Sequence, residues 1–310
     1  MNVDLSVDIG GLRLANPIIA ASGCFGYGLE YAEAVDLSAL GAIAVKGLFL
    51  DEREGHPPAR IVETPSGMLN AIGLQGIGVH RFVAEKLPPL QAAGAVVIVN
   101  ICGSSIEEYA EIARVLDDAA GVGAIELNIS CPNIKKGGMV FGCSQQGTHD
   151  VVAAVRQVTR LPLIPKLTPN VTDVASFAIA ARDAGADAVS LVNTFLAMAV
   201  DVETRRPRLS NVVGGLSGPA IRPIAVRMVH ECYQAVEIPI IGMGGIMSAE
   251  DALEFMIVGA SAVQVGTANF VDPFIWATLL TDLTTYLHRH QIEQVSEIVG
   301  TLALNAKGSQ

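Results

Sequence analysis

Eight short runs rich in Val, Ile, Leu and Ala recur along the chain: Pro17–Gly23, Ala42–Phe49, Val96–Cys102, Ala124–Ser130, Leu161–Leu167, Ala188–Thr194, Ile238–Gly245 and Ala262–Thr267. Most are nearly continuous in apolar residues, as strands buried on both faces must be, and such burial is the habit of parallel sheets covered by helices. Helical segments lie between most of them. Ser105–Ala119 opens on Ser and Glu and carries apolar residues at helical spacing. Asp173–Ala184 stops at Gly185, and Ser248–Val258 stops at Gly259, where glycine is a good helix terminator. Eight strands alternating with helices in 310 residues predict a (β/α)8 barrel, read as one domain over residues 1–310.

Composition narrows the function. Hydrophobic residues make up 51% of the chain and the formal net charge is −11. That balance argues against a nucleic-acid surface, which needs clustered Lys and Arg. It leaves room for a small anionic ligand held by one or two local lysines. The five cysteines, at 24, 102, 131, 143 and 232, form no CxxC pair. They suggest neither a disulfide framework nor a zinc or iron–sulfur site, which fits a reducing cytoplasm. The amino-terminal residues show no basic region with an apolar signal core, and the apolar runs are too short and broken to span a bilayer. The expectation is a cytoplasmic protein with no membrane attachment.

In barrels of this kind function sits at the carboxyl ends of the strands. The residues falling there are Ser22, Lys46, Asn100, Asn128, Lys166, Asn193 with Thr194, Gly244 with Gly245, and Gly266 with Thr267. Gly244-Gly245 and Gly266-Thr267 end the last two strands, where backbone N–H groups often cradle a phosphate; Gly214-Gly215 and Ser217-Gly218 could add donors. Turn-making alone explains one glycine pair better than two on adjacent strands. Lys166 lies in an apolar stretch and needs a partner. Either it pairs with a neighbouring carboxylate, or it faces a ring system that takes up electrons. Asn100 and Asn128 offer donors and acceptors to the polar edge of a flavin or pyrimidine. Lys46 suits an anionic substrate or phosphate, and Asn70-Ala71-Ile72-Gly73-Leu74 adds an amide and a glycine of close approach.

The connections are uneven. Leu5–Leu14 alternates around Gly10-Gly11 and predicts a β-hairpin plugging the barrel from below. Asp51–Gly78, Cys131–Gly147 and Phe195–Gly218 are long insertions after strands, read as loops forming site walls and a lid over the mouth. Within the fourth strand and its exit, Asn128-Ile129-Ser130-Cys131-Pro132-Asn133 delivers a thiol between amides at a turn sharpened by Pro132. Free Cys is usually a buried small hydrophobe. Here the polar surroundings favour proton transfer beside a planar ligand.

Taken in order, Val45-Lys46-Gly47, Asn70–Leu74, Asn128–Asn133, Pro165-Lys166-Leu167, Asn193-Thr194, Gly214–Pro219 and Gly242–Gly245 resemble the class 1 dihydroorotate dehydrogenases across nearly the whole chain. The resemblance implies an FMN enzyme oxidising dihydroorotate to orotate in pyrimidine synthesis. It implies FMN binding by Ser22, Lys46, Gly47, Asn100, Asn128, Lys166, Val192, Gly218, Gly244, Gly245, Gly266 and Thr267. Substrate would be held by Lys46, Asn70, Ala71, Ile72, Gly73, Leu74, Asn128, Asn193 and Thr194, with Cys131 as the base. Asn133 to Gly138 followed by Phe141-Gly142 is similar to the NAD-linked subclass B. That subclass implies a homodimer of this subunit joined to a second subunit carrying FAD and a [2Fe–2S] cluster. One departure is Gln75–His80, where the family pattern has Asn-Pro after the Gln. The alternatives are a dihydropyrimidine dehydrogenase subunit acting on uracil or thymine, and a non-catalytic flavin-binding barrel.

Overall fold

The structure, a computed structural model, describes residues 3–130 and 141–304. Its strands in chain order are β1 (Val7–Ile9), β2 (Leu12–Leu14), β3 (Ile18–Ala20), β4 (Ala42–Ala44), β5 (Ile61–Thr64), β6 (Gly67–Asn70), β7 (Val97–Ile101) and β8 (Val122–Asn128). They continue with β9 (Leu163–Lys166), β10 (Val189–Leu191), β11 (Phe195–Met198), β12 (Val200–Asp201), β13 (Arg206–Pro207), β14 (Val213–Ser217), β15 (Ile240–Met243) and β16 (Ala262–Val265). Eight of them close into a parallel barrel in the order β10-β15-β16-β3-β4-β7-β8-β9. These are the eight apolar runs of the sequence, and β3, β4, β7, β9, β10, β15 and β16 are buried at every residue.

Helices pack outside the barrel, and their starts follow from side-chain caps. Ser105 accepts from the Glu108 N–H to begin Ile106–Asp117, and Asp173 accepts from the Ser176 N–H to begin Val174–Asp183. Ser248 and Asp251 form a reciprocal capping box on Ala249–Ile257. Helix Gln145–Arg156 begins at Ser144, so the last residues of the Cys131–Gly147 segment are helical rather than loop. The short Ser side chain there accepts the Gly147 N–H at 3.0 Å and starts the helix early.

The predicted hairpin is β1 and β2, paired Val7↔Leu14 and Ile9↔Leu12, with alternate residues buried. Gly10 and Gly11 turn it with φ of 61° and 95°. It sits under the barrel: a Cβ on Gly10 would lie 2.3 Å from the Asp187 carbonyl oxygen, just before β10.

The two insertions read as loops are ordered otherwise. Strands β5 and β6 from the first, and β11 and β14 from the second, form one antiparallel sheet in the order β11-β14-β6-β5. The register pairs Asn70 with Gly215. Val62, Leu69, Ala71 and Leu209 give this sheet a small core of its own. The alternating polar composition hid the strands, because a one-faced sheet over a rim keeps half its residues wet.

Gly11→Ala should cost about 1–2 kcal/mol, the penalty of a left-handed side-chain residue. Gly10→Ala should cost a further ~1–3 kcal/mol, because its Cβ meets the Asp187 backbone. Thermal unfolding of the two variants checks the order; equal losses would mean that the hairpin does not seat against the barrel.

Candidate functional site

The strand exits place the polar residues on one rim. Asn128 and Lys166 are the last residues of β8 and β9 and pair with each other in register. Val192, Gly244 and Gly266 each follow directly on β10, β15 and β16. Lys46 and Gly47 step out of the ladder after β4. The Lys46 N–H turns to the Gly26 carbonyl at 2.9 Å, and the chain rejoins β7 at Leu48. Lys46 is half-buried, and that burial first, then the nearby Arg60 guanidinium, hold its pKa below the ordinary lysine range.

One group of predicted residues forms a continuous chain of contacts. The Asn193 Nδ2 donates to Asn128 Oδ1 at 3.2 Å, and the Thr194 N–H donates to Asn193 Oδ1 at 2.8 Å. The Thr194 side chain lies against Gly215, where a Cβ would be 2.1 Å from its hydroxyl oxygen. The Asn70 Nδ2 donates to the Gly215 carbonyl at 3.3 Å. The strip beyond Asn70 folds back over the rim: Gly73 and Leu74 take φ of 77° and 56°, and a Cβ on Gly76 would touch the Gly47 carbonyl at 3.0 Å. Ala71 donates its N–H to the Arg60 carbonyl and the Ile72 carbonyl accepts from His56. The unusual Gln75–His80 segment is pinned, with Gln75 Oε1 accepting from Arg60 at 2.7 Å and the Ile77 N–H donating to the Tyr27 hydroxyl at 3.2 Å.

A second group gathers at the neighbouring exits of β15 and β16. Gly218, Gly244 and Gly245 have φ of 97°, 130° and 76°. A Cβ on Gly245 would sit 2.7 Å from the Gly218 carbonyl, and the Thr267 hydroxyl donates to Ser217 Oγ at 2.8 Å. The N–H groups of Gly244, Gly245 and Thr267 make no hydrogen bond to other described residues. Free amides on glycines that leave no room for side chains fit an anionic oxygen cluster such as a phosphate. Gly214 and Gly215 do not join them. Both are paired inside the inserted sheet, opposite Ala197 and Leu196, so their backbones are committed to strand partners. Ser22 lies in the turn after β3, and a Cβ on Gly266 would meet Cys24 Sγ at 3.1 Å.

Between the groups, Lys166 and Asn100 are buried and both face Glu126. Lys166 Nζ lies 3.7 Å from Glu126 Oε2, and Asn100 Nδ2 donates to the same oxygen at 2.6 Å. The carboxylate partner that the sequence left open for Lys166 is therefore present. Glu126 was not singled out among the site residues, and neither were Ser190 and Gln264, which also bind it. The signal was legible: Glu126 stands two residues before Asn128 and so shares its face of the strand, inside the barrel.

Cys131 lies outside the described residues. The end of the described segment before it is held by two bonds: the Ser130 hydroxyl donates to the Lys166 carbonyl at 2.9 Å, and the Tyr109 hydroxyl donates to the Asn128 carbonyl at 2.7 Å. Cys24 also lies near the rim, beside Gly266. Burial pushes its thiol up to about 11, against a smaller downward pull from Lys166. Burial likewise raises Cys232 to about 12. A concavity lined by Tyr233, Pro239, Ile240 and Ser261 opens at the opposite end of the barrel and gathers none of the predicted residues.

Fold and rim together define a (β/α)8 barrel with free backbone amides, a buried lysine and a group of asparagines at one mouth. The profile of the dihydroorotate dehydrogenase family matches residues 4–287, and the chain belongs to that family. It is 54% identical over 299 residues to the dihydroorotate dehydrogenase B (NAD(+)) catalytic subunit of Geotalea uraniireducens, covering 96% of this chain and 98% of that one. It is 52% identical to the subunit of the same name from Thermoanaerobacter pseudethanolicus, over 98% of this chain and 100% of the relative.

At pH 8 a thiol with a pKa near 11 is ionised in about one molecule in a thousand. Cys24 and Cys232 should therefore stay unmodified when the folded protein is treated with iodoacetamide, while exposed Cys143 reacts. Peptide mass spectrometry reads the result, and rapid labelling of Cys24 would contradict its raised pKa.

Proposed function

We propose that this chain is the catalytic subunit of an NAD+-linked dihydroorotate dehydrogenase, with FMN resident on one barrel domain of residues 1–310. The observation that carries the reading is the run of contacts from Asn128 through Asn193, Thr194 and Gly215 to Asn70, beside the free amides of Gly244, Gly245 and Thr267. One side suits a flat, polar, carboxylate-bearing ring and the other a phosphate. Family membership and the names of the relatives point to the same substrate.

Ser22, Lys46, Gly47, Asn100, Asn128, Lys166, Val192, Gly218, Gly244, Gly245, Gly266 and Thr267 are the proposed FMN residues. Bound there, FMN supplies the acceptor for a hydride from dihydroorotate. Lys166, buried and with no Nζ hydrogen bond to other described residues, stabilises negative charge on the ligand beside it. Lys46 attracts the substrate carboxylate, while Asn70–Leu74, Asn128, Asn193 and Thr194 hold the ring. Cys131, next in the chain after Ser130, takes the proton from the ring carbon beside the carboxylate-bearing one.

Among the described residues no helix is long and apolar enough to cross a membrane. The reading includes a cytoplasmic homodimer joined to a second subunit carrying FAD and a [2Fe–2S] cluster. The words "catalytic subunit" in the relatives' names support such a division of labour.

Cys131→Ala should still purify yellow but lose roughly 10²–10⁴ in turnover, the usual contribution of a general base. Stopped-flow reduction of its flavin by dihydroorotate at the wild-type rate would remove Cys131 from that role. Substrate binding needs Lys46 charged. The KM for dihydroorotate should therefore climb with pH starting below the ordinary lysine range, because the Lys46 pKa is depressed. Lys46→Met should raise KM roughly 10–100-fold and flatten that climb, as loss of a charged hydrogen bond does. A KM in the wild-type protein that stays level into the alkaline range would exclude Lys46 from carboxylate binding.

A further inference from the structure

We propose that Glu126 is a positioning residue that sets the reduction potential of the cofactor at the barrel mouth. It does so by fixing Lys166 and Asn100 and offsetting part of the lysine charge. The proposal rests on the FMN reading above.

Glu126 lies in the middle of β8 with no exposed surface. A carboxylate in that place survives only with a full set of partners. It has four, from four other barrel strands. Oε1 accepts from Ser190 Oγ on β10 at 2.8 Å and from Gln264 Nε2 on β16 at 2.6 Å. Oε2 accepts from Asn100 Nδ2 on β7 at 2.6 Å and lies 3.7 Å from Lys166 Nζ on β9. In the barrel order, β16 stands four strands from β8 in either direction. Gln264 therefore reaches Glu126 across the full width of the lumen, and the carboxylate ties opposite walls together.

The two oxygens are not equivalent. The neutral donors Ser190 and Gln264 hold Oε1, while Oε2 faces the two residues assigned to the cofactor. The Lys166 contact is longer than a hydrogen bond, and Nζ makes none to other described residues. Its donors remain for a ligand, while its charge is balanced from below. A barrel interior needs no such pair for stability, since apolar residues of similar volume do as well or better. Ala124, two residues before Glu126 and on the same face of β8, shows that choice and is fully buried.

The sign of the effect follows from the charges. Lys166 alone favours the reduced, more negative form of FMN. Glu126 opposes that preference and holds the potential down. A cofactor that must pass its electrons on to a nicotinamide gains from being bound less tightly in its reduced form. Removing the Glu126 charge should therefore raise the potential.

The test is a dye-equilibrated redox titration of the full-length chain with its FMN, alongside FMN affinity by fluorescence quenching. Glu126→Gln keeps the shape; its one oxygen can still accept from Asn100, and its amide N–H groups can donate to the Ser190 hydroxyl and to the unpartnered Gln264 Oε1. It should raise the midpoint by about 30 mV or more, a tenfold shift for a two-electron couple. Glu126→Asp, which keeps the charge, should stay closer to wild type. Ser190→Ala removes one neutral donor from the carboxylate and should lower the midpoint; it decides the matter by itself if Glu126→Gln does not fold. An unchanged midpoint in FMN-loaded Glu126→Gln, or in Ser190→Ala when that variant decides alone, overturns the positioning role only. A wild-type chain that takes up no FMN overturns the functional reading and this proposal together.

Discussion

Eight parallel strands closed on themselves leave the chain with eight exits at one rim, and the site is built from those exits. Closure makes every strand an inner strand, so its backbone faces ladder neighbours on both sides rather than a ligand. Binding chemistry is pushed to where the ladder ends. Lys46 and Gly47 show this most directly. They sit in a step between the end of β4 and the bridge at Leu48, where the backbone is free to present a side chain over the mouth.

The lumen beneath imposes the opposite demand. It is buried, so a charged group inside it needs partners for both of its oxygens. Glu126 meets that demand through Ser190, Gln264, Asn100 and Lys166. The same bonds that make the carboxylate tolerable also hold a lysine and an asparagine at the level where the site begins. Stability of the interior and orientation of the site are one set of contacts here, which is why a change at Glu126 reaches both.

The inserted sheet completes the rim from above. Its strands come from segments far apart in the chain, and the pairing of Asn70 with Gly215 brings the two inserted segments together. Gly214 and Gly215 illustrate how context reassigns a motif. As a glycine pair they resembled phosphate donors; placed in β14 they act as flat neighbours that let Thr194 and Asn70 approach.

The sequence by itself determined the barrel, the capped helices, the hairpin turned by Gly10-Gly11 and the polar character of each strand exit. These are local matters of periodicity, capping and backbone conformation, and each is written within a dozen neighbouring residues. The family was legible for the same reason, in short motifs at strand ends. Cys131 was named from such a motif and lies outside the described residues. Only the tertiary structure decided that the insertions form a sheet, that Gly214-Gly215 belong to it, and that Lys166 has a carboxylate partner in Glu126. Those outcomes depend on register and on distances across the lumen, where Gln264 and Glu126 meet 138 residues apart. No local pattern encodes such a meeting; it exists only once the strands have closed.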